Sequence, residues 1–158
     1  MSKQYVMALR ESLEKKIRVL DEILRISHEQ SRVLEKKPMD YEAFDRFVDD
    51  KDICIEKLEK LDEGFDLLYR RVGEELKSQK SLYADEIQKM QELISQITDK
   101  SMTIQALEQR NKQNVEQVFL EERRELGKGK RSVSVAQNYY KNMNNSAALG
   151  SQFMDQKQ

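Results

Sequence analysis

The sequence predicts an all-α fold: an antiparallel helical hairpin plus a long third helix, forming a three-helix, coiled-coil-like bundle, with a flexible C-terminal tail. Three observations lead there. The 158 residues contain only five glycines and one proline, so little interrupts a helix. Charged residues make up 36% and aromatics 7%, a balance that lines helix seams without filling a wide globular core. Apolar residues recur at steps of three and four over nearly the whole chain up to residue 126. The stretch from Phe44 to Val118 carries the longest of these stripes and is expected to be what the rest is organised around.

The first helix is predicted over residues 3–36. Val6, Leu9, Leu13, Ile17, Leu20, Leu24 and Leu34 share one side, and Ile23 and Val33 widen it. A helix so long and so polar needs a partner for its stripe. Positions 27 and 31 on the seam are both serine, so that half either packs closely or stays available to another protein. Pro38 stops the helix, and Asp40 reads as the N-cap of the next one. So short a turn favours an antiparallel hairpin.

The second helix is predicted over residues 41–77. Its stripe is Phe44, Val48, Ile55, Leu58, Leu61, Phe65, Leu68, Val72 and Leu76, with Lys51 at a seam position. Gly64 and Gly73 are tolerated breaks, a bend, or points of close helix approach. At residues 78–81 a turn is expected, with Ser78 or Ser81 as a cap, although nothing there forbids one continuous rod. The third helix is predicted over residues 82–126, with Tyr83, Ile87, Met90, Ile94, Ile97, Ile104, Leu107, Val115 and Val118 in near-heptad register. Ser101 and Asn111 fall on the same line, and a seam asparagine often fixes register. Gly127 ends it, after Arg123 and Arg124 placed favourably against the helix dipole.

Two regions follow: a helical bundle over residues 1–126 and a flexible tail over residues 127–158. The tail holds three of the five glycines and no sustained stripe, with apolar islands at Val133–Tyr140 and at Phe153 and Met154. Lys128, Lys130, Arg131, Lys141 and Lys157 stand against Asp155, a balance of +4; with −1 for the whole chain, −5 remains for residues 1–126. A mildly basic tail on an acidic body is too weak a field for a nucleic-acid binder. The single Cys54 forbids an internal disulfide, the N-terminus shows no signal-peptide pattern, and no run approaches a membrane span, so a cytoplasmic protein without membrane insertion is expected.

Enzymatic chemistry is not expected, and neither is a cofactor or metal. His28 is the only histidine and reads as a solvated side chain; Cys54 reads as a packed, inert thiol. Gly127 and Gly129 follow a helix instead of opening one, so they form no phosphate loop. Asp49, Asp50 and Asp52 lie on different helix faces. What remains is helix-on-helix recognition: a partly bare ribbon on the third helix, with Met90, Met102 and Phe119 nearby, that accepts an amphipathic helix.

Leu20-Asp-Glu-Ile-Leu24 and Glu29, then Lys51 followed by Leu58 and Leu61, resemble the flagellar export chaperones of the FlgN type. The run Ile104-Gln-Ala-Leu107-Glu-Gln-Arg-Asn111-Lys-Gln-Asn114 is similar to that family's Leu-x-x-x-Asn-x-x-Asn region, and a tyrosine after a basic stretch also fits. The resemblance covers nearly all of the chain through degenerate helical motifs, which the FliT-type filament-cap chaperones partly share. It implies a cytosolic type III export chaperone that binds the amphipathic terminal helix of hook-associated proteins at the hook–filament junction. Such a chaperone prevents their premature assembly and delivers them to the flagellar export gate and its ATPase complex. Carried over, the client contact falls on Leu107, Asn111, Val115, Val118 and Phe119, and the export-gate contact on Tyr139 or Tyr140. A homodimer is left open, as is a purely structural coiled coil that only self-associates.

Overall fold

The computed structural model describes residues 2–126. Three helices, α1 (Ser2–Glu35), α2 (Tyr41–Ser78) and α3 (Ala84–Leu126), run up, down and up, with no strand among the described residues. At 1.5 Å per residue each is about 50–65 Å long.

α1 is the central helix. It packs along both α2 and α3, which meet each other far less. This corrects the expectation that the chain is organised around Phe44–Val118. α1 buries Val6, Leu9, Leu13, Leu20, Ile23, Ile26 and Leu34, a band broad enough to face two neighbours at once. Its polar ties give the register. Lys16 pairs with Asp62 of α2 at 2.8 Å, and Arg71 of α2 lies over the Tyr5 ring, so residue numbers fall along α2 as they rise along α1. Along α3 they rise together, with Arg10–Glu86 at 3.5 Å and Lys100–Asp21 at 2.6 Å.

The first connection follows from local chemistry. The Asp40 carboxylate accepts from the Ala43 amide at 3.1 Å, with the Asp40 backbone extended (φ −83, ψ 96). Met39 just before the cap and Phe44 in the first turns of α2 are both buried, the positions of a hydrophobic staple. The second connection occupies residues 79–83. The Gln79 amide donates to the Glu75 carbonyl at 2.9 Å, and the Leu82 amide to the Gln79 carbonyl at 3.1 Å. Ser78 does not cap α3, because its hydroxyl bonds back to the Glu75 carbonyl. Neither interior glycine brings helices together. A Cβ on Gly64 would meet open space, and one on Gly73 would meet the Tyr69 ring of the same helix at 3.1 Å.

The core changes character along its length. Near the α2–α3 turn it is apolar, with Val6, Leu9, Leu13, Phe65, Val72 and Leu76 among its residues. Towards the α1–α2 turn, Ser27, Gln30, Lys51, Glu108 and Asn111 are buried among the apolar side chains. That polar layer positions the C-terminal half of α3.

Candidate functional site

Residues 104–119 of α3 lie against the serine-bearing half of α1 and the first turns of α2. Two serines on α1 leave room for larger polar groups opposite. Asn111 is wholly buried; its amide nitrogen donates to the Ser27 carbonyl at 3.0 Å. The Ser31 hydroxyl stands 2.7 Å from Asn111 Oδ1 and 3.1 Å from the Ser27 carbonyl, with one proton to give to either. Glu108, one turn earlier, accepts from the Ser27 hydroxyl at 2.5 Å and from the Lys51 ammonium of α2. All three helices thus meet at a single carboxylate.

The charges in this knot are costly. Lys51 is wholly buried. Burial pushes its amine down from the usual 10.5 to about 8, against an upward pull from the Glu108 carboxylate. Gln30, also wholly buried, has neither amide atom hydrogen-bonded among the described residues. Tyr41 stacks on Phe119 with ring centroids 6.0 Å apart, yet its buried hydroxyl makes no hydrogen bond among the described residues. Buried polar groups left like this weaken the packing of this half.

The residues expected to receive a client are distributed unevenly. Asn111, Val115 and Phe119 face inward, Val115 and Phe119 being 2% and 6% exposed. Leu107 and Val118 are half-buried at the edges of the packed face. Over residues 104–119 the ribbon expected to be bare is therefore mostly closed by α1 and α2, and is open only along Leu107 and Val118. Met90, Met102 and Phe119 do not line one trough: Met90 and Phe119 belong to the core, whereas Met102 is 64% exposed. Eighteen residues on, five full turns later, Leu120 is 46% exposed and aligned with Met102. Tyr139 and Tyr140 lie outside the described residues.

Other candidates for chemistry are dispersed. His28 is exposed and Cys54 is buried, where desolvation raises its thiol above the usual range. Asp49 and Asp50 are exposed, while Asp52 is half-buried with its carboxyl raised by desolvation and by Asp49. Among the described residues no group of three His, Cys, Asp or Glu side chains is placed to hold a metal ion. No described helix is long and apolar enough to cross a membrane. Glu108 was not among the residues expected from the sequence. A signal for it was present: Glu108 follows Ile104 by four and precedes Val115 by seven, so it shares their face, and a seam lysine such as Lys51 calls for a carboxylate.

The family model described as FlgN protein matches residues 1–139. No curated protein and no solved structure matches the chain.

Proposed function

From its membership of the FlgN family, to which the chain belongs as a flagellar export chaperone, we propose that it escorts hook-associated subunits of the hook–filament junction in the cytoplasm. It holds their amphipathic terminal helix and delivers them to the type III export gate. The observation that carries this reading is the family match over residues 1–139.

The client seat we assign is the C-terminal half of α3. Leu107 and Val118, half-buried at its edges, are reached first. Asn111, Val115 and Phe119 become available when this half of α3 shifts from α1. The exchange is balanced: a client helix replaces apolar area that the bundle gives up, and the polar knot lowers the cost of parting. Burying the client's apolar face removes the surface through which subunits join each other. Tyr139 or Tyr140, outside the described residues, supplies the gate contact, so holding and delivery fall on different parts of the sequence.

The test is titration of a hook-associated subunit's terminal-helix peptide into the purified chain and into Leu107→Asp and Val118→Asp variants. Both variants should lose binding while circular dichroism stays near that of the native chain, since both positions are only half-buried. Undiminished binding would contradict the seat. Deleting residues 132–158 should spare peptide binding and impair export of the subunit, and unchanged secretion would remove the tail's role.

A further inference from the structure

A second surface lies between α1 and α2, away from the seat on α3. It is an open groove of about 490 Å³ lined by residues of these two helices alone. Val19, Cys54 and Leu61 supply its apolar part, Cys54 buried and the other two half-buried. Lys15 and Arg18 stand along one side and Lys57 and Lys60 along the other, all four exposed. Ile53, 52% exposed, precedes Lys57 by four residues and Lys60 by seven, so it extends the apolar strip on their face.

The charge here runs against the rest of the body. Residues 1–126 carry a net −5, yet this groove presents four cations and one acid. The acid, Glu22, is engaged by the Arg25 guanidinium at 2.5 and 3.1 Å, which together with the more distant charge of Lys57 holds its carboxyl below the usual range. None of the four cations makes an ion pair or hydrogen bond among the described residues. An apolar floor between two rows of unpaired cations is complementary to apolar anchors flanked by carboxylates.

We propose that the α1–α2 groove is a docking site for an acidic amphipathic helix of another protein. Lys15 to Glu22 spans about 10 Å of α1, or two helical turns, which suits anchors at i, i+3 or i+4, and i+7. The lysine and arginine stems add apolar cover beside those anchors while their charges meet the flanking acids. The chain's own tail, with its +4 balance, carries the wrong sign for this rim.

The test uses two fluorescein-labelled synthetic helices with leucines at i, i+3 and i+7, one flanked by glutamates and the other by lysines. By anisotropy against the full chain, the acidic helix binds and the basic one does not. A Lys57→Glu/Lys60→Glu variant, altered only at exposed positions, weakens binding about tenfold. Cys54 is the only cysteine, so its reaction with a thiol reagent slows when the acidic helix is bound. Leu107→Asp leaves all this unchanged, which separates the groove from the α3 seat. Equal binding of the two helices, or no loss in the double variant, overturns the proposal. So does a dimer in sedimentation that the double variant dissolves, because the occupant is then a second copy.

Discussion

Lys51 and Glu108 set the energetics of the knot. Two opposite charges out of water are held by each other, and Ser27 adds a hydrogen bond to the carboxylate. Removing one partner strands the other, so Lys51→Met should cost about 3–5 kcal/mol in urea unfolding. Lys51→Met with Glu108→Leu should restore stability to near the native value or above it. A double variant as unstable as the single one would show that the pair is not the source of the loss. The amine has a pH signature as well. Its folded value of about 8 lies below its ordinary 10.5, so the unfolded chain binds more protons between the two. Its contribution to stability therefore grows as pH rises through that window and is lost as pH falls through about 8. Relative to the double variant, the native chain should gain stability from pH 8 to 10.5. A flat or falling difference would contradict the assignment. The seam position of Lys51 was readable in the sequence, but the depth of its burial was not, because that depends on α3 crossing above it.

α1 and α2 begin and end, and α3 begins, close to where local chemistry put them. Pro38 and the Asp40 cap fix the first turn, and scarce glycine leaves few other places to break. The cap is separable: Asp40→Ala should lower stability by about 1 kcal/mol by thermal or urea unfolding and leave the α1–α2 packing intact. No change would mean that Met39 and Phe44 alone secure the start of α2. At residues 78–81 the sequence offered serines but no proline or glycine, and the turn is closed by backbone bonds to Gln79 and Glu75, which no side-chain signature announces. The ribbon on α3 was legible as a periodicity. Its closure was not, since the same spacing describes a face turned to a partner or to α1.

For the whole molecule, the decisive feature is a central α1 with α2 and α3 on either side. All three helices carry stripes, and periodicity alone did not reveal which one is shared by the other two. The burial of Ile26 and Gln30, off the narrow stripe, reveals it only once the helices are assembled. This arrangement leaves α3 held largely by one neighbour, with its C-terminal half over the polar layer. That half is where, on the function proposed above, a client helix would compete for the same apolar residues. The most direct test is backbone hydrogen exchange of the full chain with and without a hook-associated subunit's terminal-helix peptide. Amides of residues 104–119 should change their exchange on binding, while those lining the α1–α2 groove should not. Unaltered exchange across residues 104–119, with the peptide bound, would contradict this expectation.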